Sequence, residues 1–403
     1  MGSSEWKKYK LGDVTEWRSG GTPSKQNDKY WNGNIPWVSA KTLTGNRISD
    51  SSIKITAEGL SNGSRLANID SILLLVRGSG LFNGIPVAIV KKQVAFNQDI
   101  KEIIAQKNLL LPEFLLYWIE SSTKKLNDKL EETGIGAGKF DTEILKNLDI
   151  AIPDFTTQQR IVTFIESFDD KIELNRKTNQ TLEAIAQTLF REMCVPKGGE
   201  LPEGWRIKTL GDLIEPISVT HKMRQEKIIF LNTSDILEGS VLHNNYSIVS
   251  TLPGQAKKSI KRDDILFSEI RPANKRYAFV NFDPDEYVVS TKLMVLRSKG
   301  DVSPYLIYCF LTNNQTLSLL QQKAETRSGT FPQITFSQLK DIELLIPNNK
   351  ILKELTQNLQ SLYQTIFSNN KENQTLTALR DSLLPKLMSG QIAIDNLPFP
   401  WPT

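Results

Sequence analysis

The stretch NQTLEA, Asn179 to Ala184, returns as NQTLTA, Asn373 to Ala378. The two lie 194 residues apart (373 − 179) in a chain of 403. Four shared residues can arise by chance, but agreement along the flanks marks a repeat. At the same offset Ile152-Pro153 falls on Ile346-Pro347, and Leu145-Lys146 on Leu339-Lys340. Asp70-Ser71-Ile72-Leu73 matches Asp263-Asp264-Ile265-Leu266 at 193, and Phe114-Leu115-x-Tyr117 matches Tyr305-Leu306-x-Tyr308 at 191. At the front, Trp6 and Leu11-Gly12-Asp13 match Trp205 and Leu210-Gly211-Asp212 at 199. Drift of this size is what loop insertions produce. The chain is two copies of one plan.

Each copy has two parts. Residues 6–153 and 205–347 carry short apolar runs divided by Gly, Asn, Pro and Ser, among them Ile72–Val76, Val87–Val90, Tyr277–Val280 and Leu293–Leu296. Such runs read as strands. Leu110–Leu126 and Pro304–Leu320 each read as one amphipathic helix, which gives an α+β domain with a β-rich core. After Pro153 and Pro347 the pattern changes. Ile161, Ile165, Phe168, Ile172, Asn175, Asn179, Leu182, Ala186, Leu189 and Met193 follow alternating spacings of four and three. Leu355, Leu359, Leu362, Ile366, Asn369, Asn373, Leu376, Arg380, Leu383 and Leu387 repeat them. This is a coiled-coil seam. Each seam carries two asparagines at its middle, and buried polar pairs favour the register in which they meet. Mid-helix asparagines favour an antiparallel pair, with each helix about 48 Å long; the alternative is an exposed Asn face at which the helices diverge or bind something. The expected domains are 1–153, a helical spacer 154–200, 201–347, and a second spacer with tail 348–403. The tail Leu397-Pro398-Phe399-Pro400-Trp401 resembles the joint Leu201-Pro202-Glu203-Gly204-Trp205 and is expected to return to the first copy.

Composition excludes much. Two cysteines and two histidines, all widely separated, provide neither a disulfide framework nor metal-ligand spacing. No apolar run is long enough to cross a bilayer and no signal peptide is seen, so no membrane association and a cytoplasmic location are expected. Met1–Ser4 carry no weight in this reading. A net charge of +4 permits nucleic-acid binding without demanding it. Gly134-Ile135-Gly136-Ala137-Gly138-Lys139-Phe140 looks like a phosphate loop. It has Thr133 where that motif needs its first glycine and Phe140 where it needs Ser or Thr. Nucleotide hydrolysis is therefore not expected, although Lys139 could still touch a DNA phosphate. No catalytic site and no cofactor site is read.

The loops between strands are rich in side chains of the kinds that contact DNA; any one alone reads as a solvated surface group, but as a set on two related domains they are expected to meet DNA. In the first copy these are Thr22, Ser24, Lys25, Tyr30, Lys41, Arg77, Asn97, Gln98 and Lys139; in the second they are Lys222, Arg224, Arg271, Asn274, Lys275, Arg276, Lys292 and Arg327. Arg, Asn and Gln make paired contacts to base edges, and Lys, Ser and Thr serve phosphates.

The chain resembles the specificity subunit of type I restriction-modification systems over essentially its full length. The resemblance rests on Leu11-Gly12-Asp13, Gly21-Thr22-Pro23-Ser24, Ile35-Pro36-Trp37-Val38, Gln158-Gln159-Arg160-Ile161, Ala184-Ile185-Ala186-Gln187-x-Leu189-Phe190, Leu201–Trp205 and Leu383-Leu384-Pro385-Lys386-Leu387-x-Ser389-Gly390. It departs at Phe331-Pro332-Gln333 and Gln338, where the second copy's Gly-Thr loop continues differently. The resemblance implies two target-recognition domains, each reading one half of a bipartite site in double-stranded DNA. It implies two helices that set the spacer and dock two methyltransferase subunits. Those subunits supply S-adenosylmethionine and methylate adenine N6, and restriction/translocase subunits join for cleavage. The chain itself is then non-catalytic. Inserting four residues in both helices should add about 6 Å, or about two base pairs, to the spacer. The alternatives are a specificity subunit of a methylation-only complex, a coiled-coil scaffold that binds no DNA, and a free-standing adenine methyltransferase, whose motifs are missing.

Overall fold

The computed structural model describes residues 6–132, 136–194, 201–327 and 331–397, with Asn83 and Arg327 described by backbone alone. Two compact units result, one of Met1–Ile172 with Gln374–Thr403, the other of Glu173–Asn373. Two helices of 40 residues, Phe155–Cys194 and Asn349–Met388, each contribute to both units.

The repeat holds in the main strands of both domains. Lys7–Lys10 pairs antiparallel with Asp149–Ile152, and Arg206–Thr209 with Glu343–Ile346, so the first and last strands of each domain close it. The central sheet of the first domain orders Thr15–Ser19, Ile100–Ala105, Ile72–Leu75, Val87–Val90 and Arg47–Ile48. Its counterpart orders Ile214–Ile217, Leu293–Ser298, Ile265–Ser268 and Tyr277–Phe279. Registers agree, with Leu73 opposite Glu102 and Leu266 opposite Val295, each 193 residues on. A smaller sheet in each domain is built on a parallel pair, Phe96 beside Val38 and Val289 beside Leu231. Ile72–Leu75 is buried on both faces, which is why it reads as an unbroken apolar run rather than an alternation.

Helix boundaries differ from the sequence reading. The first expected helix divides into Pro112–Ser121 and Thr123–Asn127, the second into Pro304–Thr312 and Asn314–Arg327. Asn313 causes the second break. Its extended backbone leaves the helix, and its Oδ1 accepts the Thr316 N–H at 2.8 Å, starting a new one. Apolar periodicity runs through such a joint and does not register it.

The long helices pair antiparallel. In the first unit Ile161, Ile165, Phe168 and Ile172, from the start of one helix, share a core with Leu376, Leu384 and Leu387 from the end of the other. In the second unit Ala186 and Phe190 pack with Leu355, Leu359, Tyr363 and Ile366. The asparagines meet as the seam requires. Asn175 donates to Asn373 Oδ1 at 2.9 Å and to Glu372 Oε2 at 2.7 Å. Asn179 donates to Asn370 Oδ1 and accepts from Asn369 Nδ2, both at 2.8 Å. Asn370 in turn donates to Ser240 Oγ at 3.3 Å, tying the layer to a domain hairpin. Asn179→Ala is expected to lower stability by about 1–3 kcal/mol, because it strands the half-buried amides of Asn369 and Asn370. Urea unfolding reads this directly, and an unchanged midpoint would refute it.

The two domains are braced on the helices by different chemistry. In the first, Asp169 is buried and its Oδ1 accepts from Arg380 at 2.6 Å. Its Oδ2 accepts from Asn46 and from the Tyr117 hydroxyl, both at 2.8 Å. In the second, the equivalents of Asp169, Arg380, Tyr117 and Asn46 are Tyr363, Ala186, Tyr308 and Gly239. Tyr308 and Tyr363 are buried edge to face, 5.1 Å apart. Gly239 has φ +83, and a Cβ there would come within 2.6 Å of the Tyr308 hydroxyl, so only glycine fits.

Glu120, half-buried beside this ionic brace, has its carboxyl pushed from 4.5 up to about 7 by burial first and the Asp169 charge second, with Arg380 opposing. The folded chain thus holds a proton there that the unfolded chain has released, so stability falls as pH rises through the window from 4.5 to about 7. Glu120→Gln should flatten that slope in unfolding experiments at stepped pH. A slope identical to that of the parent would exclude Glu120 as its source.

The chain returns to the first domain at its end. Ile394 is buried in the first core, Leu397 packs against it, and Asp395 pairs with Arg160. A Cβ on Gly390 would lie 3.2 Å from the Trp6 ring. The stretch from Pro398 onward lies outside the described residues.

Candidate nucleic-acid interface

The first domain carries an open cleft of about 610 Å³ at the end of its parallel strand pair. Glycines permit the approach that forms it. Gly21 donates its N–H to the Phe96 carbonyl at 2.9 Å, and a Cβ on Gly20 would fall 2.2 Å from that same oxygen. Two tryptophans hold the loop that follows. Trp37 Nε1 donates to the Gly21 carbonyl at 3.1 Å and Trp31 Nε1 to the Ser24 carbonyl at 3.0 Å. Their rings meet edge on at 5.3 Å.

Five residues expected from the sequence line this cleft: Thr22, Lys25, Lys41, Asn97 and Gln98. Lys25 and Lys41 are exposed and make no hydrogen bond to the described residues. Thr22 donates to Gln98 Oε1 at 2.6 Å, which fixes the amide with its NH2 group as the remaining donor. Asn97 is spent internally. It is buried, donates to Asp99 Oδ2 at 3.0 Å and accepts the Asp99 N–H at 3.2 Å. Ser24 is exposed beside the cleft, and Tyr30 is half-buried against Gly59. Asp28, Asp99 and Ser39 also line the cleft and were not singled out in the sequence. Comparing residues 97–99 with 290–292 would have shown Asp99. A search for cations and amides passes over an acid.

Arg77 and Lys139 lie elsewhere in the same domain, opposite one another on paired strands. Like charges so placed are costly unless an anion or acid joins them, and Glu131 faces Lys139 from the other side. Thr133, Gly134 and Ile135 of the Gly-rich loop lie outside the described residues.

In the second domain Arg271, Asn274, Lys275 and Arg276 occupy one turn. Arg271 and Lys275 both hold left-handed backbone, φ +43 and +53, which L-residues rarely adopt. Two of the four groups are committed: Arg276 donates to the Ser234 and Ile236 carbonyls, and Lys275 pairs with Glu238. The exposed Arg271 and Asn274 side chains make no hydrogen bond among the described residues. Lys222, Arg224 and Lys292 are exposed as well, and the side chain of Arg327 lies outside the described residues. Gln338, where the family pattern breaks, is a helix cap whose Oε1 accepts the Thr335 N–H at 2.7 Å.

A family model, the type I restriction modification DNA specificity domain, matches residues 3–184 and again 202–378. The chain belongs to the type I restriction-modification DNA specificity family. Relatives agree along its length. The type I restriction enzyme MjaIX specificity subunit of Methanocaldococcus jannaschii is 28% identical over 421 residues, covering 98% of this chain and 95% of its own. The HindI specificity subunit of Haemophilus influenzae is 41% identical over 181 residues, 44% of this chain and 39% of its own. The solved S subunit from M. genitalium has the same fold, with a TM-score of 0.61 at 15% identity, covering 95% of this chain and 96% of that one. Among the described residues of this family member, no group of three or more His, Cys, Asp or Glu could hold a metal ion. No described helix is long and apolar enough to cross a membrane.

Proposed function

We propose that this chain is the non-catalytic, DNA-reading member of a type I restriction-modification complex in the cytoplasm. Each domain takes one half of a bipartite site in double-stranded DNA. The contacts come from Thr22, Ser24, Lys25, Lys41, Gln98, Arg77 and Lys139 in the first domain, and from Lys222, Arg224, Arg271, Asn274 and Lys292 in the second. The paired helices set the unread gap and dock two adenine-N6 methyltransferase subunits, and restriction/translocase subunits complete the assembly. The observation that carries this reading is the duplication of the closing strand pair and the parallel strand pair, with exposed donors in the loops of both domains. One domain can read one short run of bases, and two copies on fixed helices call for two runs with a constant gap.

Genome-wide mapping of N6-methyladenine with and without this gene tests it. A bipartite motif with a fixed gap should vanish on deletion. A methylome unchanged by deletion, in cells shown to produce the chain with a partner methyltransferase, would overturn the reading.

A further inference from the structure

One turn is built twice from different residues. After the parallel strand pair the first domain has Asn97-Gln98-Asp99, and the second has Ser290-Thr291-Lys292, 193 residues on. In both, the first side chain captures the third residue's N–H, from Asp99 to Asn97 Oδ1 and from Lys292 to Ser290 Oγ, each at 3.2 Å. In both, the third residue's carbonyl accepts from the neighbouring strand end. Val76 N–H reaches Asp99 at 2.8 Å, and Glu269 N–H reaches Lys292 at 3.1 Å. Val76 and Glu269 are themselves 193 apart. The backbone of the third residue is pinned on both sides, so its side chain departs from the same place in each domain. The two side chains are opposite in charge.

The surroundings reinforce the difference. Asp99 lines the first domain's cleft together with Gln98, the cations Lys25 and Lys41, and a second acid, Asp28. One of its oxygens accepts from Asn97, and the other takes no hydrogen bond among the described residues. In the second domain Lys258 donates to the Thr291 and Leu293 carbonyls at 3.0 and 2.7 Å, placing another positive charge on the Lys292 turn. A carboxylate repels phosphates, guanine O6/N7 and thymine O4. In the major groove it can meet only the exocyclic amines of adenine N6 and cytosine N4. An ammonium has the converse preference, with guanine's two acceptors the best match.

We propose that this third turn position reads a base in both domains with opposite hydrogen-bond polarity: Asp99 accepts from an amino-bearing base of one half-site, and Lys292 donates to guanine in the other. The inference rests on the DNA-reading function proposed above.

Methylomes of the native host carrying Asp99→Asn or Lys292→Glu test it, once the parent chain has defined the motif. If no bipartite motif depends on the parent chain, the function fails before this question arises. Asp99→Asn keeps shape and the Asn97 contact but turns the free acceptor into a donor. It should shift preference at one position of one half-site by roughly five- to a hundred-fold, away from the amino-bearing base. Lys292→Glu should act on the other half-site alone. The unaltered half-site in each strain reports a folded, assembled chain. An unchanged motif in both strains overturns the proposal, as does a change of both variants in the same half-site. If a variant abolishes methylation, the purified full chain is titrated against duplexes substituted at each position. Loss of discrimination at one position supports the proposal, and uniform weakening across all duplexes overturns it.

Discussion

Replacing Arg380 with alanine is expected to destabilise the chain by about 3–5 kcal/mol, because it leaves the Asp169 carboxylate buried without its counter-charge. The side chain of Asp169 is only 7% exposed and that of Arg380 23%, so solvent screens the pair little. The donors left behind, Asn46 and Tyr117, soften the loss but carry no charge. The second domain supplies the remedy. Its equivalent positions hold Tyr363 and Ala186, an apolar solution on the same scaffold. The double variant Asp169→Tyr with Arg380→Ala should recover most of the loss, since it removes the buried charge together with its partner. Urea denaturation of the purified chain measures both. A single-variant loss under about 1 kcal/mol would show the pair to be worth no more than a surface ion pair.

A second variant should change what the chain recognises while sparing its stability. Four residues added to each long helix, after Ile172 and after Asn373, lengthen the pair where both helices pass from one unit to the other. The added rise is about 6 Å, close to two base-pair steps. The added rotation exceeds a full turn by about 40°, close to the twist of one base pair. The unread gap in the methylated motif should therefore grow by one or two base pairs, and methylation of the original motif should be lost. Both half-sites should keep their sequence. A methylome in which the gap stays the same length would sink the idea that the helices act as a ruler.

What could be read in the sequence was what local pattern encodes. The constant offset between copies gave the duplicated domains. The four-three spacing gave the helix pair, and the two asparagines per seam gave its direction. Residues in contact but far apart in the chain were not legible in this way. Arg380 stood in the seam as an unexplained polar residue, because its partner Asp169 lies 211 positions earlier. The breaks at Ser122 and Asn313 were hidden by apolar spacing that continues through them. Among the candidate contacts, composition could not tell committed groups from free ones. Asn97 and Arg276 have the chemistry of base readers, yet they spend it on Asp99 and on backbone carbonyls. Hydrogen-bond satisfaction is settled only when the chain is folded.

The asparagine layer sets how the molecule responds to ionic strength. Its central contacts run from amide to amide, Asn175 to Asn373 and Asn179 to Asn369 and Asn370, and such bonds are not screened by counterions. Contacts between exposed lysines or arginines and phosphates weaken steeply as salt is added. Raising the salt concentration should therefore release the chain from DNA while its two helices stay in register, so that it leaves in the form in which it can bind again.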